Sequence, residues 1–499
     1  MLTVLGLGPA DARLLTREAW AALEAAPLVL LRTARHPAVA GLPKALRRRS
    51  FDREYARGEN FEAVYQRIVE AVLAQARRGD VLYAVPGHPL VGEATTPALL
   101  ARARSEGIPT RVIGGMSFVE PCLEQLAAAG VYVDPLDGLQ VCDALDLAAQ
   151  HHPALNPDKP ALVAQIDARG VASEVKLTLM NQLAPEHAVW VVNGPDPAHP
   201  RRRRPAVSVA LGVLDHQEAF DHLTSLFVPA LPRLEGWGAA SVEGLHDTLA
   251  RLRAPDGCPW DQKQTPESMR EAILEEACEV IDAIDAGDTG ALVEELGDLL
   301  FNVLFQAQIA TEAAQFRMGD VVAAVDAKLK RRHPHIFGDV TVSGVGEVLT
   351  NWEAIKRQEH AARGKARTSA LDGIPAALPA LAQSQKLQHR AERAGFKWET
   401  REQRLRKVRE ELREVIAARS KAHLAEELGD LLFTLVNYAE GHGIDAELAL
   451  RAANRKFGRR FRGVEALAEA RGIVMKTASL RTLTGLWREA KAGQKAGRA

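Results

Sequence analysis

Residues 274–280 read LEEACEV and residues 292–301 read LVEELGDLLF; residues 409–415 then read REELREV and residues 424–433 read LAEELGDLLF. Each block has the form E-E-x-x-[ED]. The first copy contributes Glu275, Glu276, Glu279 and then Glu294, Glu295, Asp298; the second contributes Glu410, Glu411, Glu414 and then Glu426, Glu427, Asp430. On a helix, positions three and four apart share a face, so each block points its carboxylates one way. Such crowding costs an isolated helix ~0.2–0.5 kcal/mol per pair and would be offset by a cation. Mg2+ binds oxygen, typically one or two carboxylates together with substrate phosphates, and two facing acidic helices could supply that shell. A single EExxE block is ordinarily a solvated helix face, but four blocks in two ordered pairs favour a site.

The repeat extends beyond the acids. Trp260 precedes the first acidic helices, Lys328 and Arg332 follow at i,i+4, and Trp352 and Lys356 close the unit at the same spacing. In the second copy Trp398 precedes, Lys456 and Arg460 follow, and Trp487 and Lys491 close. A metal held by acids, a Lys/Arg pair and a Trp beside a Lys suit a nucleoside triphosphate: the cations neutralise phosphate charge. A Trp face stacks any base for ~1–3 kcal/mol, which predicts a broad base range. Taken singly, each Trp reads as a core aromatic and each Lys/Arg pair as a complement to a helix dipole. His333 and His335 flank a proline, which favours capping or packing over metal ligation. No GxxxxGK[ST] is present, which excludes a P-loop enzyme.

Upstream of these helices the pattern changes. From Leu2 to about Val228, short β-branched runs (TVLGLG, PLVLL, VLYAVPG, TRVIGG, ALVAQI, AVWVVNG, VSVALGVL) alternate with Ala- and Leu-rich stretches, which predicts an α/β layer structure. Gly-Pro punctuation in GLGP, VPGHP and VNGPDP predicts loops gathered at a ligand cleft. From about Ser241 the 3.6-residue period takes over. The expected boundaries are an α/β domain over 1–228, a linker over 229–244, a first helical repeat over 245–360, a Gly- and Pro-broken linker over 361–379 and a second repeat over 380–499.

With 499 residues, 47% hydrophobic and 25% charged, the chain is long enough for two or three cored domains. A net charge of -1 gives no pull toward nucleic acid or anionic membrane, so stable binding to either is not expected. The basic runs Arg47–Arg49 and Arg201–Arg204 read as solvated loops. Cys122, Cys142, Cys258 and Cys278 have neither disulfide nor zinc spacing and fit a reducing compartment. No apolar stretch approaches the ~20 residues that span a bilayer, and a cytoplasmic location is expected.

DGCPWDQKQT, LEEACEV, EELGDLLFNVLFQAQIA, RRHPHIFG, NWEAIK, LDGIPAALPAL, AGFKW, EELGDLLF and ANRKFGRRF together resemble the MazG family of all-α nucleoside triphosphate pyrophosphohydrolases, from about Leu245 to Lys491. The resemblance implies Mg2+-dependent cleavage of nucleoside triphosphates to monophosphate and pyrophosphate by a homodimer, for nucleotide-pool housekeeping. It implies metal ligands or water activators at Glu275, Glu276, Glu279, Glu295 and Asp298 and at Glu410, Glu411, Glu414, Glu427 and Asp430. Glu276, Glu279, Glu411 and Glu414 are the catalytic candidates, and Lys328, Arg332, Trp352, Lys356, Lys456, Arg460, Trp487 and Lys491 the nucleotide-binding ones. Ala272 stands where the family usually has an aromatic one turn before EExxE, and the analogy favours the second repeat as the working one.

The first half, through VLGLGPADARLLT, RTARHPAV, SFDREYARGENFEAVYQRI, VLYAVPGHPLVGEAT and VIGGMSF, is similar to the tetrapyrrole methylases fused to MazG. That similarity implies an S-adenosylmethionine cleft around Gly6, Gly8, Pro86, Gly87, His88, Pro89 and Ser117. Ala10 replaces a common Gly, and PGHP replaces the GDP of the better-known methyltransferases. The alternative function is therefore a methyltransferase acting on a tetrapyrrole or other small molecule, with the helical half secondary.

Overall fold

The structure, a computed structural model, describes residues 1–57, 60–193, 205–218, 220–232, 238–362 and 369–496. The Arg201–Arg204 run and part of the VNGPDP loop lie outside the described residues. The chain divides into two compact units, Met1–Val322 and Ala323–Ala499.

The first unit begins with a five-stranded parallel sheet ordered β3-β2-β4-β1-β5, made of β1 (Leu2–Gly6), β2 (Leu28–Leu31), β3 (Arg47–Ser50), β4 (Val81–Val85) and β5 (Thr110–Ile113). Its inner strands β1, β2 and β4 are apolar on both faces because both are covered. Leu2, Val4, Tyr83 and Val85 pack with Ile68 and Val72, from the helix Phe61–Ala76, while Leu5, Leu82 and Ala84 pack on the other face with Leu23. A second sheet, ordered β6-β7-β10-β8-β9, follows: β6 (Gln140–Asp143), β7 (Ala161–Ala164), β8 (Ala188–Asn193), β9 (Val207–Ala210) and β10 (Thr224–Val228). Only the β6/β7 pair is parallel; the other three pairs are antiparallel.

Three strands depart from the sequence reading. Arg47–Arg49 do not form a loop: they lie in the edge strand β3, where Arg48 donates to the carbonyls of Val39 and Leu42 at 2.8 and 2.9 Å. An edge strand has one unpaired side and tolerates charge, so its apolar signal is absent. β6 and β10 were also missed, although β10 is wholly buried between β7 and β8.

At the carboxyl ends of the neighbouring strands β1 and β4, the two following loops lock together. Gly8 N–H donates to Gly87 O at 3.1 Å and Gly87 N–H to Gly8 O at 2.8 Å. Gly6 must be glycine here, since a Cβ would stand 2.5 Å from the Gly87 carbonyl oxygen.

Beyond the second sheet the described residues are helical. Asp158 receives the incoming chain, accepting from the Ala240 and Ser241 N–H groups at 2.6 and 3.2 Å, and the helix Val242–Arg253 starts there. The helices Arg270–Ala286 and Thr289–Glu312 form a hairpin. Its turn is set by Gly287 at φ 68° and by Asp288, which caps Gly290 and Ala291. Leu249, Met269, Leu304 and Phe305 form the apolar centre.

The second unit repeats the hairpin as Arg401–Ala417 and Lys421–Glu440. Thr400 and Gln403 make a capping box at the start of the first of these helices, and Ser420 caps the second. Two more long helices, Ala446–Ala470 and Leu480–Ala496, pack through Val464, Ala468, Leu486 and Ala490.

Candidate metal and nucleotide site

Each acidic hairpin gathers three carboxylates. Glu276, Glu295 and Asp298 place one oxygen each within 4.8 Å of one another, and Glu411, Glu427 and Asp430 do the same in the second unit. The two sets occupy matching positions in the two repeats, second Glu of the first block, then second Glu and Asp of the next. Each donor set is all oxygen, with no nitrogen or sulfur, which suits a hard divalent ion.

The electrostatic state of the two trios differs. In the first, burial and then the charges of Asp298, Glu279 and Glu295 raise the Glu276 carboxyl above its ordinary value. Burial followed by Glu279, Glu294 and Asp298 does the same to Glu295. Among the described residues no Lys, Arg or His ion-pairs with this trio. In the second, the Lys407 ammonium lies 2.8 Å from Glu411 and 2.7 Å from Glu410, and His423 Nε2 lies 2.9 Å from Glu427. Lys407 is held charged by these two carboxylates, and Glu410 is held below its ordinary value by Lys407. Glu414, one turn after Glu410, is raised by burial and by Glu411 and Glu427.

Glu275 and Glu410 sit beside their trios as exposed residues, as do Glu279 and Glu414. Lys407 and His423 were not singled out from the sequence. Their signal was there, at i,i+4 to Glu411 and Glu427, and the matching first-repeat positions hold Ala272 and Ala291.

The cationic and aromatic residues differ in the reverse sense. Arg332 makes a 2.6 Å ion pair with Glu359, which also takes Arg331 at 2.6 Å, and its guanidinium lies 5.3 Å over the Trp352 ring. These arginines hold the Glu359 carboxyl down to about 2. His333 adds an edge contact to Trp352 at 5.0 Å and bonds to Leu329 O, a packing role. Lys328 and Lys356 are half-buried. All of these residues lie in the second unit, whereas the first acidic trio lies in the first.

In the second repeat, acids and cations belong to one unit. Arg460 Nε is buried with no hydrogen-bond partner, and among the described residues neither Arg460 nor Lys456 forms an ion pair. Trp487 packs at 5.3 Å on Phe457, and Lys491 is exposed. Trp260 and Trp398 are exposed, at 63% and 39%.

The first unit also holds a cleft of about 670 Å³ at the carboxyl ends of the parallel sheet. Pro86 and Gly87 line it with Arg32, His36, Asp52, Gln165 and His222. Gly6 and Gly8 lie behind this wall, consumed in the close packing with Gly87. His88, Pro89 and Ser117 are not among the lining residues; Ser117 donates to Glu120 at 2.5 Å, and His88 Nδ1 accepts from Leu90 N–H. Burial and the facing His222 push His36 down to about 4, so it is neutral near pH 7. Arg32, although burial opposes its charge, stays charged through Glu93 and the Tyr55 and Tyr65 hydroxyls. Gln165 holds φ 64°, a left-handed conformation uncommon outside glycine.

Two domain families match this chain. The MazG nucleotide pyrophosphohydrolase domain matches residues 264–337 and 399–464, and the tetrapyrrole (corrin/porphyrin) methylases match residues 1–194. An uncharacterised Bacillus subtilis protein, YabN, is 38% identical over 500 residues, covering 98% of each chain. An Escherichia coli nucleoside triphosphate pyrophosphohydrolase is 46% identical over 256 residues, 50% of this chain and 97% of its own. A Thermotoga maritima nucleoside triphosphate pyrophosphohydrolase/pyrophosphatase MazG is 41% identical over 251 residues, 50% of this chain and 96% of its own. Among solved structures, a Thermus thermophilus uroporphyrin-III-C-methyltransferase aligns at 19% identity over 46% of this chain and 93% of that one, with a TM-score of 0.34.

Proposed function

The chain belongs to the MazG nucleotide pyrophosphohydrolase family, with a tetrapyrrole methylase-type domain ahead of the helical repeats, and from that premise we propose that it hydrolyses nucleoside triphosphates to monophosphate and pyrophosphate with Mg2+. The observation that carries this reading is the carboxylate trio, built twice from matching positions.

The second repeat is the proposed hydrolytic site, because its Arg460 Nε is buried without a hydrogen-bond partner, whereas Arg332 of the first repeat is already engaged by Glu359. Glu411, Glu427 and Asp430 would hold Mg2+, which when bound draws electrons from phosphate oxygens. Glu414, with its raised proton affinity, is positioned by sequence one turn on to take a proton from the attacking water. Arg460, whose buried Nε has no partner, and Lys456 would meet the phosphates, with Lys491 beside them in role. Trp487 would offer its ring edge and face to the base, a contact that does not discriminate among bases. The first repeat's Glu276, Glu279, Glu295 and Asp298 form a second metal locus. Its Arg332 and Trp352 serve nucleotide only if Glu359 releases the arginine.

Exposed Leu412, Ile416, Leu428, Leu432 and Leu435 give the second acidic hairpin an apolar surface, at 47, 76, 43, 54 and 43% exposure. That surface supports a homodimer as the working form. Among the described residues no helix is long and apolar enough to cross a membrane.

The test is incubation with each ribo- and deoxyribonucleoside triphosphate, with and without Mg2+, resolving all phosphate products. Equimolar monophosphate and pyrophosphate, dependent on Mg2+, is expected; diphosphate plus phosphate overturns the proposal. A second reading rests on the cleft of about 670 Å³. We propose that it takes S-adenosylmethionine, with methyl transfer as its chemistry, and calorimetry should detect that binding in wild type. Absence of binding by calorimetry sinks this second reading and leaves the first untouched.

A further inference from the structure

The two trios share donors and differ in what already satisfies them. In the first, Ala272 and Ala291 stand one turn before Glu276 and Glu295, and neither can offer a charge or a hydrogen bond. The oxygens of Glu276, Glu295 and Asp298 lie within 4.8 Å of one another, and among the described residues no cation pairs with them. In the second, the same helical positions hold Lys407 and His423, whose side chains lie 2.8 and 2.9 Å from Glu411 and Glu427. Glu411 is buried while Lys407 is partly exposed, so removing the ammonium without a replacement leaves a buried carboxylate unpaired.

We infer that Lys407 is a built-in counter-ion, with His423 hydrogen-bonded to Glu427 beside it, so that the second trio takes a divalent ion only together with a triphosphate, whereas the first takes one alone. This rests on the metal reading of the trios above. A bare ion arriving at Glu411 must displace an ammonium from two carboxylates, and the displaced charge then faces the newcomer across a few ångströms. A triphosphate changes that balance: its oxygens give Lys407 a new set of partners, and its negative charge offsets the added cation. At Glu276 no such displacement is needed. Lys407 thereby acts as a positioning residue that ties metal uptake to substrate in the repeat that hydrolyses, and the two repeats become unlike in metal affinity while alike in ligands.

The experiment titrates the metal-free full chain with Mn2+, as a paramagnetic stand-in for Mg2+, and reads free Mn2+ by electron paramagnetic resonance. Wild type, without nucleotide, should bind one tight ion per chain. Glu276→Gln should lose it and Glu411→Gln should keep it. Adding a triphosphate with a non-hydrolysable α,β bridge should bring a second ion, and Lys407→Ala with His423→Ala should take that second ion without nucleotide, at least ~10-fold tighter than wild type. Ala272→Lys, which transplants the counter-ion without emptying a buried site, should weaken the first ion by ~10-fold; circular dichroism confirms that each variant is folded. Two equal ions in the nucleotide-free wild type, or a tight ion lost in Glu411→Gln and kept in Glu276→Gln, overturns the inference, as does an unchanged first site in folded Ala272→Lys. No ion at either trio under any condition overturns the metal reading itself.

Discussion

In the first helical repeat Glu276, Glu295 and Asp298 face one another with no cation among the described residues to pair with them, while Arg332 is engaged by Glu359 and lies over Trp352. In the second, Glu411 and Glu427 already hold Lys407 and His423, while Arg460 Nε is buried without a partner. Duplication has preserved the carboxylates and reversed which half is satisfied. Identity of carboxylates therefore does not imply identical surroundings: what a carboxylate does next depends on the charge already beside it.

Removing the acids should break the comparison most sharply. Glu411→Gln with Glu414→Gln is expected to lower hydrolysis by at least ~100-fold, the scale of lost ligand and base together. Glu276→Gln with Glu279→Gln should leave more than half the rate. The release of monophosphate decides, and the opposite ranking would move hydrolysis to the first repeat.

The cationic half gives a smaller effect. Arg460→Ala should lower kcat/KM by ~10–30-fold, about 1.5–2 kcal/mol for a charge-assisted phosphate contact. Arg332→Ala should change it less than about 3-fold, since that guanidinium already serves Glu359. Equal losses in steady-state kinetics would erase the distinction.

Stability offers two finer tests. Glu359→Gln should cost about 2 kcal/mol near neutral pH, because it leaves two arginines without their carboxylate. The sign with pH follows from a folded value of about 2 against an ordinary 4.5. The ion pairs contribute fully above 4.5, and that contribution is lost as pH falls from 4.5 toward 2. Denaturant titration of wild type and Glu359→Gln should show the two converging over this window. Smallest is Thr400→Ala, at about 1 kcal/mol for loss of the capping box. The first-repeat helix Arg270–Ala286 follows Met269, which offers no side-chain cap.

Much of the candidate site is legible in the sequence. The E-E-x-x-[ED] spacing named all three members of each trio, because residues on one helical face are fixed by the 3.6-residue turn. The acids brought together are the second and later ones, Glu276 and Glu411 in place of Glu275 and Glu410, a choice made by the rotation of each helix against its neighbour. Lys407 and His423 are equally local, at i,i+4 to Glu411 and Glu427, but a pattern of like charges does not mark them. In the first half the cleft was anticipated through its glycines, but Arg32, Asp52, Gln165 and His222 come from four separate segments and share no spacing. β3 escaped notice because an arginine-rich edge strand has no apolar alternation to read.

The amino-acid sequence by itself determined the division into an α/β half and a helical half, the doubling of the helical unit and the helical face each acid occupies. These are consequences of local periodicity, which a chain carries wherever it folds. Only the tertiary structure decided that Gly8 and Gly87 close on each other, that His36 meets His222 in a cleft, and that Glu359 takes Arg332 and leaves Arg460 Nε unpartnered. Those outcomes depend on packing between segments far apart in the chain, where many charges compete for few partners and burial selects which pairs form.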